Sequence, residues 1–568
     1  MSATLLDDAI EAAETSVSCE NCLTVRRLAR ALETLQAKFR LLEQSFERLQ
    51  AESRCDVGYW KSRHADSVKR IDQLKEELDQ SRGETRTLQD KLFGRKSEKS
   101  TRGDRSNDLV DPEEVSAAAK KKRGAQPGHA GHGRRDYSHL PVQEEFVPLP
   151  DDSQACPHCG KPVEMMSVTE DSEVLEVDVR PHRRKIRRGR YRATCACDPT
   201  RRTLTAPLPP KLIPKGNYGI SIWVHVLLDK YSSYRPTERL LGQLEQYGLA
   251  LPAGTVNDGL KRIEPMLTPI YGAMCARNRQ GSFHQADETR WRVFVVLDEK
   301  KGYGWWLWMI LGPDTVIYLL DPSRGHEVPE THLGPDASGT LEVDRYSAYK
   351  AMMQVKEGLI LLAFCWAHVR RDFVGVGKGW PELTPWALLW LRRIRHLYQI
   401  NRARLEYRKD PAKFQEQQAL LRGAVETLRA EAARELSDTK LRQPCRKVLE
   451  SLQEHWTGLT RFVEDPKVPM DNNGSERQVR GPAVARKNFY GSGSLWSGRL
   501  AAMMFSIVAT LLHWKINPRR WLTCYLEACA AAGGVAPEDI QRFLPWNLSD
   551  ERRAELGAPI TVPPANTS

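Results

Sequence analysis

The sequence predicts an α/β protein: a mixed strand-and-helix core with an all-helical insertion, preceded by an N-terminal coiled coil and a small metal-stapled module. Three observations predict it. An apolar repeat of spacing 3, 4, 3, 4 runs through residues 25–49, two close cysteine pairs frame residues 156–197, and five short β-branched or aromatic runs precede a long helical stretch.

The repeat comprises Val25, Leu28, Leu32, Leu35, Phe39, Leu42, Phe46 and Leu49. Such a stripe keeps one seam of a helix against a partner helix. The pattern resumes at Ile71, Leu74 and Leu78, then Leu88 and Leu92, shifted by four residues as in a stutter. Nearly everything off the stripe is polar, so self-association of region 1–93 is the reading preferred; packing within one chain is the alternative. Residues 94–150 are a polar linker and a basic arm rich in Gly and His, with no apolar period.

Region 151–205 holds Cys156 and Cys159 at two-residue ligand spacing, then Cys195 and Cys197 after 36 more residues. Four thiolates suit one structural Zn²⁺, and so short a module needs a staple to fold. The second pair has one intervening residue where a standard ribbon has two. Between the pairs, Arg180–Arg192 carries eight Lys or Arg, among them Arg183, Arg184, Lys185, Arg187 and Arg188. On a hairpin these would line one face and meet a DNA backbone. Cys19 and Cys22 also form a close pair, but without a second pair nearby they read as non-ligating.

Region 206–275 reads as helical, with two short amphipathic pieces joined at Gly248 and Pro252 that are similar to a helix-turn-helix or to two packed helices. Strand runs follow at HQADETRW, WWLWMILG, TVIYLLDPS, TLEVDRYSAY and LILLAFCWAHV. Three strands, a helix and a further strand is the order of a ribonuclease-H-like core, placed at 276–379 and 466–530. The Leu- and Arg-rich stretch 380–465 is the insertion, where Trp380, Trp386 and Trp390 at helical spacing read as core. Residues 531–568 are a tail.

The formal charge of +12, from 85 Lys and Arg against 73 Asp and Glu, favours a polyanionic partner. The longest apolar stretch, Leu359–Ala367, is far short of the roughly 20 residues a spanning helix needs. The N-terminus lacks the pattern of a secretory signal, and the 12 cysteines form no dense secreted framework. A soluble cytoplasmic protein is the expectation.

Three carboxylates stand at positions suited to metal. Asp287 and Asp344 lie where strand runs reach a sheet edge, and Glu476 follows the turn-forming DNNGS at a helix start. Acids converging from separate elements are what two Mg²⁺ (or Mn²⁺) ions require for phosphodiester chemistry. Arg477, Arg480, Arg486 and Lys487 would hold phosphates beside them. Each acid has an alternative: the aspartates as surface residues at strand ends, and Glu476 as part of a helix cap.

The string DNNGSERQVRGPAVARKNFYGSGS resembles the C-terminal signature of the insertion sequence 66 family of bacterial transposases. KLFGRKSEK, RGAQPGHAGH, CPHCG, HQADETRW, LEVDRYSAY and CWAHVRRDF stand in the expected order, and the resemblance covers roughly residues 25–530. It implies a DDE core on a ribonuclease-H-like fold, with the triad on Asp287, Asp344 and Glu476. It also implies DNA, both transposon ends and target, as partner, and small accessory proteins from the same element. Cys365 and His368 in CWAHVRRDF resemble the Cys-x-x-His element that follows the second acid in several related transposase groups; on a strand end His368 would touch the DNA or brace the acidic cluster, the alternative being a structurally hydrogen-bonded histidine. The expected activity is metal-dependent cleavage and strand transfer; the alternatives are a catalytically silent DNA-binding derivative and a nuclease that does not join strands.

Overall fold

The computed structural model describes residues 27, 30, 31, 33–42, 57–93, 142, 147, 158, 159, 161, 162, 181–192, 203–296 and 302–559. Two compact units emerge, one of residues 1–126 and 363–471, the other of 127–362 and 472–568.

The second unit carries the mixed sheet, and its strands fall where the sequence puts them. A small antiparallel pair, β1 (Arg190–Arg192) and β2 (Thr203–Thr205), comes first. The main sheet is built from β3 (Phe283–Arg292), β4 (Gly304–Leu311), β5 (Val316–Asp321), β6 (Gly339–Val343) and β7 (Ile360–Phe364), in the order β5-β4-β3-β6-β7. β3, β4 and β5 form an antiparallel meander, whereas β6 joins the other side of β3 in parallel. A parallel neighbour needs a crossover, which residues 322–338, with the helix Glu327–Leu333, provide. The runs TLEVDRYSAY and LILLAFCWAHV are only half strand. Each turns helical, at Ser347 and Trp366, because the apolar alternation ends at Val343 and Phe364.

Helices α1 (Ala253–Arg279), α2 (Asn473–Phe489) and α3 (Leu495–His513) pack with the sheet of this unit. The two short pieces expected around Gly248 and Pro252 are a ten-residue helix, Thr237–Gln246, and the much longer α1. Val256, Leu260, Ile263, Leu267 and Ile270 give α1 an apolar face at helical spacing, and that face is buried in the core. By length and composition α3 is apolar enough to cross a membrane, which the estimate from Leu359–Ala367 overlooked. Its apolar residues, among them Leu500, Met504, Phe505 and Ile507, are instead buried core of this unit.

Helix α3 also covers an edge. Among the described residues no strand lies on the outer side of β5, where backbone N–H groups would otherwise go unpaired. Ser506 Oγ accepts the Tyr318 N–H at 2.8 Å, and Thr510 Oγ1 accepts the Val316 N–H at 3.0 Å. Both hydroxyls lie one turn apart on one face, so the helix runs beside the strand and blocks strand addition.

The first unit is helical. The helices Trp366–Gly379, Thr384–Glu406, Pro411–Ser437 and Gln443–Glu454 make up the insertion. Trp380 and Trp390 are core, as their spacing indicates, and partly buried Trp386 packs against them: Trp390 stacks on Phe373 at 5.3 Å, and Trp386 and Trp390 both donate Nε1–H to Glu435. The helix Val57–Phe93 belongs to the same unit. Trp380 donates Nε1–H to Asp79 Oδ2 at 3.1 Å and sits against Gly83, where a Cβ would collide with the indole. Arg442 pairs with Asp79 at 2.6 Å. Leu35 and Phe39 share one cavity with Leu74 and Leu78, so these stripe residues meet a stripe of the same chain. That is the intramolecular alternative; Val25, Leu28, Leu32, Phe46 and Leu49 lie outside the described residues.

Candidate active site

The register of the sheet places the two aspartates. Parallel pairing of β3 with β6 runs from Phe283↔Thr340 to Gln285↔Glu342 and ends there. Asp287 and Asp344 each stand two residues further on. A strand's side chains alternate with period two, so both acids emerge on the face of the Gln285–Glu342 pair, where the strands part. That pair is a buried clasp, with Gln285 Nε2 donating to Glu342 Oε2 at 2.6 Å.

Local bonds orient each carboxylate. Asp287 Oδ1 accepts the Glu288 N–H at 2.8 Å, and Asp344 Oδ1 accepts the Tyr346 N–H at 2.9 Å, an Asx turn that ends β6.

Glu476 arrives on α2. The helix begins at Asn472, whose buried side chain does not cap it but donates from Nδ2 to the Ala286 carbonyl at 3.0 Å. The start of α2 is thereby tied to the residue preceding Asp287. Glu476 N–H donates to Asn472 O at 3.0 Å, so Glu476 lies one turn into the helix. Gly474 is required by proximity, because a Cβ there would collide with Gln285 Oε1. Tyr318 Oη donates to Gln478 O at 2.8 Å and fixes the next turn to β5.

Burial, then Glu288, and then Asp344 and Glu476 push the Asp287 carboxyl up to about 7, against the bond from the Glu288 amide. Among the described residues, no three His, Cys, Asp or Glu already stand close enough together to hold an ion. Carboxylates repel one another, and a cation would reverse the sign of that interaction. The donor set is carboxylate oxygen throughout, which fits a hard divalent ion such as Mg²⁺.

Sequence reasoning missed a fourth acid, Glu288. It is buried, paired with Arg324 at 2.6 Å, and accepts the Tyr349 hydroxyl at 2.9 Å. Burial raises its carboxyl, while Arg324 and Tyr349 hold it down. Arg324 in turn stacks over Tyr346 at 3.9 Å and Trp306 at 4.6 Å. The DETRW and DRYSAY runs contain this support, since Glu288 and Tyr349 follow their aspartates by one and five residues. Asn472 and Gly474 were read only as turn formers.

The cations divide into two groups. Arg477, Arg480 and Lys487 are exposed along α2. Arg486 is part-buried and donates to Thr289 Oγ1 at 3.3 Å and Arg290 O at 2.7 Å, bracing α2 on β3. Burial, with Arg290 and Arg292 nearby, lowers its guanidinium. Arg183, Arg184, Lys185, Arg187 and Arg188 are all exposed, but residues 181–189 are not strand; the hairpin expected there is confined to β1 and β2. Cys159 is exposed, and Cys156, Cys195 and Cys197 lie outside the described residues. Cys365 and His368 fall in the helical unit. Buried Cys365 caps the helix Trp366–Gly379, and His368 Nε2 bonds Arg371 at 3.0 Å.

Fold and site thus define an α/β protein with one acid inside β3, one just past the end of β6 and one a turn into α2. A family model described as "Transposase IS66 family" matches residues 215–500, half of the chain, and the chain belongs to that family. It is also similar to three uncharacterized proteins of Sinorhizobium fredii. Protein y4jD is 28% identical over 514 residues, covering 85% of this chain and 98% of the relative. Protein y4hP is 25% identical, covering 81% and 87%, and y4qI is 24% identical, covering 77% and 81%.

Proposed function

We propose that this chain is a DDE-type transposase that cuts insertion-sequence ends and joins them to target DNA. The observation that carries the reading is the matched position of Asp287 and Asp344, each two residues beyond the Gln285↔Glu342 pair, with Glu476 entering on a helix tied to Ala286. The strand order supports a ribonuclease-H-like core, three antiparallel strands followed by β6 in parallel beside the first and β7 beyond it.

Asp287, Asp344 and Glu476 would hold two Mg²⁺ or Mn²⁺ ions, which when bound activate the attacking water or 3′ hydroxyl and stabilise the leaving 3′ oxygen. The rest is positioning by the chain itself. Asn472 and Gly474 set the height of Glu476 against β3. Arg324 and Tyr349 keep Glu288 engaged, so it stays beside the cluster as a fixed charge. Arg477, Arg480 and Lys487 on the open side of α2 bind phosphates, and the basic run 183–188 adds sequence-independent affinity. Cys156, Cys159, Cys195 and Cys197 form a zinc donor set by their chemistry. Joining two ends calls for at least two protomers, for which the stripe positions other than Leu35 and Phe39, which meet Leu74 and Leu78 of the same chain, are the candidate contact.

A strand-transfer assay with labelled ends tests the proposal. Joined products that require Mg²⁺ or Mn²⁺ support it. Cleavage without joining makes the protein a nuclease, and end binding with neither makes it a silent DNA-binding derivative.

A further inference from the structure

Away from the acids, the sheet-bearing unit contains a polar cavity of about 260 Å³ lined by Lys230, Phe489, Ser492, Gly493, Ser494 and Trp496. This is below the ~300–1,000 Å³ of sites for drug-sized ligands, so it suits a single chemical group of a larger molecule. Lys230 supplies the charge. It is part-buried, donates to Thr237 Oγ1 at 3.0 Å, and holds Nζ 5.0 Å from the centroid of the Phe489 ring.

Among the described residues, no carboxylate pairs with this ammonium, and burial lowers it from its usual value with no opposing charge. Other arginines of the unit are matched differently: Arg235 has Asp229, Arg277 has Asp314 and Arg324 has Glu288. Withdrawing a cation from water without a counter-charge is costly. A cavity at its tip is where an anion would repay that cost.

The opposite wall is a fixed loop. Ser492 N–H donates to Arg292 O at 2.8 Å, and its carbonyl accepts the Phe294 N–H at 2.9 Å. Gly491 has φ +141°, and a Cβ there would strike the Arg292 carbonyl. A Cβ added at Gly493 would meet nothing within 4 Å, and its N–H donates to no backbone acceptor among the described residues. A cation, an amide without a backbone acceptor and the Ser492 hydroxyl, whose oxygen accepts from Trp291 and whose proton is left over, make the chemistry of a phosphate site.

We propose that this cavity binds a phosphate group of a DNA strand, with Lys230 as its cation. The choice of DNA rests on the transposase reading, since the loop joins α2, which carries Glu476, to α3.

The full chain is melted in phosphate and in chloride at equal ionic strength, as wild type, Lys230→Met and Gly493→Asp. Wild type is expected to gain stability in phosphate by mass action, and Lys230→Met to gain none. Gly493→Asp places a tethered carboxylate in the open space beside Lys230. It should melt higher than wild type in chloride and ignore phosphate, which keeps the test decisive if Lys230→Met does not fold. For DNA, the slope of log K against log salt should fall by about 0.7–0.9 in Lys230→Met, the value of one phosphate contact.

An equal phosphate response in all three proteins overturns the site. A lost phosphate response with an unchanged DNA slope overturns DNA as the source and leaves a free phosphate or nucleotide. If wild type binds no DNA at all, the transposase reading fails, while the melting series still decides whether the cavity takes phosphate.

Discussion

Replacing Asp287 by Asn removes a charge that the fold holds at a cost, and the cost can be worked out. The unfolded chain releases this proton near 3.8, whereas the folded protein keeps it until about 7. Between those values the folded state binds the extra proton, so its stability falls as pH rises, by 1.36 kcal/mol per unit. About 3 units amount to at most about 4 kcal/mol, reached above pH 7. The window between pH 5 and pH 8 contains about 3 kcal/mol of it. Asn has no such dependence.

The variant should therefore gain on wild type as pH rises. On a unit of ~330 residues, with an unfolding entropy of ~2.1 cal/mol/K per residue, the gap in Tm should widen by about 4 °C from pH 5 to pH 8. The assay is thermal denaturation of both proteins in chelator at the two pH values, repeated with Mg²⁺ at pH 8. Mg²⁺ should stabilise wild type and leave the variant unmoved, and strand cleavage by the variant should vanish while end binding persists. A Tm gap independent of pH, or equal Mg²⁺ stabilisation of both, would refute the reasoning that Asp287 is a buried carboxylate among other acids.

Three further outcomes are expected. Arg324→Met leaves Glu288 buried without its cation and should cost about 3 kcal/mol at pH 8 by denaturant titration. Because burial raises the Glu288 carboxyl, the cost should shrink as pH falls and Glu288 takes up a proton; a loss that does not vary with pH would show that the pair is not the cause. Asn472→Ala cuts the tie to Ala286 and should lower cleavage far more than its ~1–3 kcal/mol stability loss implies, which parallel kinetics and melting would resolve. Cys156→Ser should lose one Zn²⁺ per chain by metal analysis and weaken DNA binding, and undiminished zinc would remove Cys156 from the ligand set.

Much of the site is legible in the sequence because its signals are local. The run LEVD marks the end of β6, and DNNGSE marks the start of α2, but HQAD does not mark a strand end: β3 runs on to Arg292, paired with β4, and only its pairing with β6 stops before Asp287. Helical spacing identified Trp380, Trp386 and Trp390 as core; the structure buries Trp380 and Trp390 and packs partly buried Trp386 against them. Glu288 escaped notice because its role depends on Arg324, 36 residues away, and Tyr349, 61 residues away. Residue type alone does not distinguish it from an exposed strand acid. The apolar helix α3 escaped for a related reason: Ser506 and Thr510 look like interruptions of an apolar run, yet they are bonds to the edge of β5.

The sequence by itself determined which elements exist, their order and the residue types at their ends, since period, turn chemistry and capping act over a few neighbouring residues. Only the tertiary structure decided the register of β3 with β6, the tie from Asn472 to Ala286, and the pairing of Leu35 and Phe39 with Leu74 and Leu78 in one chain. Those choices join segments far apart in sequence, and each is settled by which buried polar groups find partners and which apolar stripes leave water together.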